Sequence, residues 1–348
     1  MAEIYTPGHG IVTDSLIMHG IVKLYDVRKV ERVGERFKLM GSFETPDSGT
    51  LSLLEEELRI YSKHPEVLSS SSVLGKVTDS NVNVSVTPKW LGKLSDALTE
   101  MEGDITDVYT VDHKDKLKEG RKGKQEYLLY LPLSFVYGKF SQSDYSVTAK
   151  DYSVCGHCFA LSNIGLIYGT AVVRYSGKDK TSVTLMTIIP DEEMDRADLL
   201  LAQRFVQGKS VSLYTELTLK SVVLYVLSVG ETLFSFGEHS PQVLVWRLER
   251  SGNFMRSLQP MALRLGGVLK KVAEIKADYP YFTNIVLKLS RSEDGAVVLD
   301  RLADIILFNG DPYPALRQLS LFLRKNKDEV GELTVKDLPN FAKILTKQ

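Results

Sequence analysis

The chain has 348 residues, enough for one large domain or two ordinary ones with a sizeable core. Its 43% hydrophobic and 25% charged residues sit near the globular average and exclude a disordered, collagen-like or fibrous chain. With 43 basic against 44 acidic residues the whole-chain field favours no polyanion, and no stretch reaches the roughly 18 charge-free apolar residues of a membrane span.

The N-terminus MAEIYTPGHG carries neither a basic region nor a small-residue cleavage site, so no signal peptide is expected. Two cysteines make no disulfide scaffold, and the expected address is the cytoplasm. In residues 13–27 (TDSLIMHGIVKLYDV), capping residues precede Ile17, Ile21, Leu24 and Val27 at helical spacing. Residues 32–45 alternate loosely around Gly34 and Gly41 and predict a short strand pair. Residues 51–62 (LSLLEEELRIYS) form the clearest early helix, ended by His64-Pro65. A polar stretch runs to Thr87, and Pro88 opens a helix to about Met101.

Residues 127–137 (YLLYLPLSFVY) read as strand broken at Pro132. The runs 164–175 and 181–189 flank SGKDK and predict a β-hairpin whose five-residue turn carries two lysines. Residues 191–207 read as a helix with an acidic start, as the helix dipole favours. Residues 243–248 are a further strand, and helices are predicted over 261–276, 293–308, 314–325 and 335–347. The most apolar run, 221–229 (SVVLYVLSV), fits either the core or a partner-facing surface. The expected fold is α+β. A strand-rich part with helices covers 1–190, including the basic loop 113–124 and the hairpin 164–189, and a mainly helical part covers 191–348. No long linker separates them, so a single domain also fits.

Cys155-Gly156-His157-Cys158 is the sharpest local pattern. As a redox motif it matches protein disulfide isomerases, but Val154 stands where they place tryptophan, and Pro190 precedes a helical rather than a strand pattern. As zinc chemistry, Cys155 and Cys158 supply half of a tetrahedral site. The other half would come from distant carboxylates or histidines, and His9, His19, His64, His113 and His239 are scattered without pairing. The simplest reading is two small buried residues at a turn entering a helix, with no cofactor; a local disulfide fits a hyperthermophile. Gly208-Lys209-Ser210 lacks the P-loop's first glycine, since position 203 is Gln203. Gly8-His9-Gly10 reads as a tight turn. No His-Glu-x-x-His, Gly-x-Ser-x-Gly or His-Asp pattern occurs, which points away from an enzyme.

Basic clusters are more informative. Residues 113–124 (HKDKLKEGRKGK) hold six Lys/Arg against two acids, and residues 247–276 hold seven basic residues against two acids. Such clusters can follow a phosphate backbone even at zero net charge, although a single charge run is more often a solvated face.

Pro7-Gly8-His9-Gly10 with the helix SLIMHGIVKLYD, the segment 154–165 (VCGHCFALSNIG), the hairpin followed by an acidic helix, and the basic C-terminal helices occur in one order. Together they resemble the large subunit of the archaeal type I-A CRISPR surveillance complex (Cascade), over nearly the full chain and in its compact form. The resemblance implies a non-catalytic subunit at the end holding the 5′ part of the CRISPR RNA. It implies recognition of the protospacer-adjacent motif on invading double-stranded DNA, assistance in duplex opening, and recruitment of the helicase–nuclease that cuts. The implied partners are the backbone subunit, the guide 5′-end subunit, the small subunit, the CRISPR RNA, the target DNA and the helicase–nuclease, with no membrane.

The family has no fixed motif-reading signature to match, so the nucleic-acid candidates rest on chemistry. Lys114, Lys116, Lys118, Arg121, Lys122 and Lys124 would position phosphates. The turn bearing Lys178 and Lys180 would enter a groove or wedge between strands. Arg247, Arg250 and Arg256 extend the basic set, and Gln125 and Asn253 lie where base edges could be read. A subunit held in place by partners needs only such local segments, with the acidic stretch 191–195 left for protein contacts. Two other readings stand beside this one: an RNA-handling or scaffolding subunit of the same defence system, and a cytosolic Cys-x-x-Cys thiol or zinc enzyme.

Overall fold

Strand β1 (Ala2–Tyr5) leads into helix α1 (Ile11–Leu24), the hairpin β2 (Asp26–Val33) and β3 (Arg36–Ser42), and helix α2 (Ser48–Lys63). The computed structural model describes residues 2–63, 94, 96–98, 105–110, 113, 127–129, 152–178, 180–206, 210–229, 241–251, 254–326, 329–330 and 333–346. A short helix α3 (Ile105–Val108) follows, then β4 (Tyr127–Leu129), which pairs with β5 (Tyr152–Val154). Helix α4 (Gly156–Tyr168) precedes the hairpin β6 (Ala171–Ser176) and β7 (Thr181–Pro190). Next come β8 (Glu193–Asp195), α5 (Arg196–Val206), β9 (Ser210–Leu213) and α6 (Leu219–Val229). The long hairpin β10 (Pro241–Ser251) and β11 (Phe254–Arg264) leads to helices α7 (Gly266–Asp278), α8 (Phe282–Leu289), α9 (Glu293–Phe308) and α10 (Pro312–Lys325). A small strand pair, β12 (Glu329–Val330) and β13 (Leu333–Thr334), and helix α11 (Leu338–Leu345) close the chain.

The fold is α+β, as expected. One sheet has the order β1-β3-β2-β8 and the other β11-β10-β7-β6-β9, so strands from both sides of residue 190 share the second. The β7–β10 ladder runs from Pro190 opposite Pro241 to Thr181 opposite Arg250. Trp246 and Arg247 are neighbours on β10 and so face opposite sides of the sheet, yet both are buried. The central strands are therefore covered on both faces.

Helices α1 and α4 pack backbone to backbone. A methyl group added at Gly20 would sit 2.1 Å from the Leu161 carbonyl oxygen, and one at Gly165 would sit 1.7 Å from that of Leu16. Only glycine permits this crossing from either side. The loop before α1 and the first turn of α4 meet at one end of the pair, His9 against Cys158.

Three sequence expectations need correction. Residues 164–168 belong to α4 rather than to a strand. The helix is buried on nearly every side, so its apolar residues show no period and read like a buried strand. Residues 261–264 extend β11, since its ladder to β10 takes precedence over helix propensity there. The helix after Pro190 starts only at Arg196, because Glu193–Asp195 pairs with β2. The apolar run 221–229 is core: it forms most of α6, with Ser221 to Ser228 buried. Among the described residues no helix is long and apolar enough to cross a membrane.

Candidate functional site

The sheet brings several predicted residues to one end. Lys178 is exposed at the turn between β6 and β7, which the Gly177 N–H closes by donating to the Lys180 carbonyl at 2.8 Å. Thr181, at the start of β7, pairs with Arg250 near the end of β10. Arg250 lies opposite Met255 and Glu249 opposite Arg256 across the β10–β11 ladder. The start of β7 and the end of β10 therefore lie side by side, and Lys178, Lys180, Arg250 and Arg256 are all within a few residues of that end in sequence.

Lys180 is not a simple surface cation. Its ammonium lies 2.9 Å from Glu216 and 2.8 Å from Glu249. Partial burial works against its charge, but the two carboxylates prevail and hold its pKa above the ordinary lysine value. Arg247 corrects the sequence reading further. It is 6% exposed, and its guanidinium donates to the Thr184 hydroxyl at 2.8 Å, to the Leu217 carbonyl and to Glu216. Burial lowers its pKa against the pull of Glu216 and Glu249. Two cations and two carboxylates thus neutralise one another beneath the turn, and Arg247 braces the sheet instead of facing a phosphate.

The acidic stretch is also engaged within the chain. Asp191 accepts from Arg264 at 2.8 Å and from Gln242, Glu193 pairs with Lys29, and Asp195 accepts the Asp198 N–H at 2.9 Å as it starts α5. A cleft of about 650 Å³ lies between α7 and the C-terminal end of α9, lined by Arg264, Lys270, Lys271 and Glu274 among others. Lys271 donates to the Ile305 carbonyl at 3.0 Å and to Asn309 at 3.1 Å, closing the end of α9. Lys114, Lys116, Lys118, Arg121, Lys122, Lys124, Gln125 and Asn253 lie outside the described residues.

The histidines that looked scattered are partly gathered. Cys155 is the N-cap of α4, and its sulfur accepts the Cys158 N–H at 3.4 Å. His113 Nε2 lies 3.5 Å from the Cys158 sulfur and 4.0 Å from that of Cys155. Donor atoms of His9, His113 and Cys158 all lie within 4.8 Å of one another. His157, inside the motif, is not part of this group. Only residue type pointed to His9 and His113, because the fold and not their spacing brings them to the cysteines.

The profile of a family described as CRISPR-associated protein (Cas_Csa4) matches residues 2–330. A protein of Thermoproteus tenax described as CRISPR system associated protein Cas8 is 33% identical over 356 residues, covering 95% of each chain.

Proposed function

The chain belongs to the CRISPR-associated Cas_Csa4 family, the Cas8 large subunits of the type I-A system, and from that membership we propose that it reads the DNA duplex beside the guide-paired segment. In this reading it is a non-catalytic subunit that recognises the protospacer-adjacent motif, assists duplex opening and recruits the helicase–nuclease. Guide pairing reads most of the target, so the protein needs to test only a few base pairs. The observation that carries the proposal is the end of the sheet where the start of β7 pairs with the end of β10, which sets exposed Lys178 near the chain positions of Arg250 and Arg256. Because the salt-bridged cluster of Lys180, Glu216, Arg247 and Glu249 braces the base of the turn, Lys178 is presented on a stiff support suited to wedging. The 114–124 segment would add phosphate contacts without sequence preference.

The test is reconstitution of the guide-loaded complex with and without this chain, followed by duplex binding across sequences flanking a matched target. Motif discrimination should require the chain; discrimination that persists without it overturns the reading. Neutralising the 114–124 lysines should weaken binding to every flanking sequence alike and reduce the salt slope by about 0.9 per lost phosphate contact. Replacing Lys178 should change discrimination between flanking sequences more than it changes the salt slope.

A further inference from the structure

We propose that Cys155, Cys158, His113 and His9 bind a structural zinc ion. With Zn–S near 2.3 Å and Zn–N near 2.0–2.1 Å, a tetrahedral site places sulfur and nitrogen ligands about 3.5 Å apart. The Cys158 sulfur and His113 Nε2 are separated by 3.5 Å, and the Cys155 sulfur is 4.0 Å from the same nitrogen. The His9 donor atom falls within 4.8 Å of His113 and Cys158, so one ion with modest closure of the group can reach all four residues.

The surroundings orient these donors as a metal requires. His113 Nδ1 lies 2.7 Å from the Val108 carbonyl, which can only accept. That bond places the proton on Nδ1 and directs the Nε2 lone pair at the sulfurs, the arrangement in which ligating histidines are held by a backbone carbonyl. The Tyr109 hydroxyl donates to the Cys158 sulfur at 3.4 Å, and the Cys158 N–H donates to Cys155 at the start of α4. Both bonds, with the helix N-terminus, favour thiolate over thiol. His9 is fixed through its loop: the backbone N–H groups of Gly8 and His9 donate to the buried Asp14 carboxylate at 2.8 and 2.9 Å, and the Thr6 hydroxyl donates to it at 2.7 Å. Gly8 and Gly10, at φ 90° and 96°, give the backbone a path other residues resist.

Four protein ligands leave no open position, which marks a structural rather than a catalytic ion. Cys158 is fully buried, so the pair is poorly placed to exchange with an external disulfide. The ion would tie together the loop before α1, the first turn of α4 and the segment after α3. His113 immediately precedes Lys114, so the same ion fixes the chain at the residue before the basic 114–124 segment.

Metal analysis of the full chain, purified without chelator, should give about one zinc per chain. Cys158→Ser and His113→Ala should lose most of it, and Lys178→Ala should keep it. Because those ligand variants can also lose their fold, a second measurement uses the wild type alone. Cobalt(II) added to chelated, reduced protein should produce the intense visible bands of a tetrahedral sulfur–nitrogen site, and one equivalent of zinc should abolish them. Folded wild type that binds no zinc and gives no such bands overturns the site. Zinc retained undiminished in a Cys155→Ser/Cys158→Ser double variant overturns it as well.

Discussion

His19 is fully buried on α1, with its Nε2 donating to the Ile188 carbonyl at 2.8 Å. The Gln203 amide donates to the His19 carbonyl at 2.8 Å and lies 3.4 Å from His19 Nδ1. Burial lowers the imidazole pKa from 6.5 to about 4, against the opposing bond to Ile188. The unfolded chain therefore takes up a proton near pH 6.5 that the native state refuses until about pH 4. Stability is full above that window and falls as pH drops through it, by about 3 kcal/mol in all. Urea unfolding above and within the window should show this slope, and His19→Gln should flatten it. Arg247 and Lys178 make a second contrast. Arg247→Ala leaves Lys180 alone against Glu216 and Glu249 and removes the bonds to Thr184 and the Leu217 carbonyl, and should cost roughly 3 kcal/mol in denaturant unfolding. Lys178→Ala, at an exposed turn, should stay within about 0.5 kcal/mol of wild type. From sequence both read as basic surface residues, because nothing local reveals that the sheet is covered on both faces at Trp246 and Arg247.

The α1–α4 crossing sets the tightest tolerance among the elements. Gly165→Ala drives a methyl group into the Leu16 carbonyl and should destabilise the chain by about 3 kcal/mol or more, read as a fall in Tm. Gly267→Ala, at an exposed position of α7 with nothing within 4 Å of the added carbon, should be neutral or stabilise by up to about 1 kcal/mol. Legibility in the sequence followed solvent exposure. Helix α9 matched its expected range because it is amphipathic and punctuated: Ser292 accepts from the Gly295 N–H, Glu293 and Asp294 follow, and Asn309 ends it at φ 53°. Helix α4 was half-missed because its burial erases the polar face that marks a period, and β11 was missed because its ladder with β10 depends on residues earlier in the chain. The cysteines announced half of their site, whereas the loop before α1 brings His9 to them and the segment after α3 brings His113.

At the scale of the whole molecule, the balance of 43 basic and 44 acidic residues is resolved by position. Much of the acid in the described residues engages chain cations: Asp191 with Arg264, Glu193 with Lys29, and Asp300 and Asp304 with Lys220. At the end of the sheet where β7 begins, Lys178 is exposed, while Lys180 is held by Glu216 and Glu249. The shared sheet has a further consequence during synthesis. Strand β7 is complete at residue 190, while its partner β10 begins only at Pro241. Until that later segment leaves the ribosome, one edge of β7 stands open to pairing with other chains. His9, His113, Cys155 and Cys158 have all emerged by then, so the metal corner can close while the sheet still waits for its outer half.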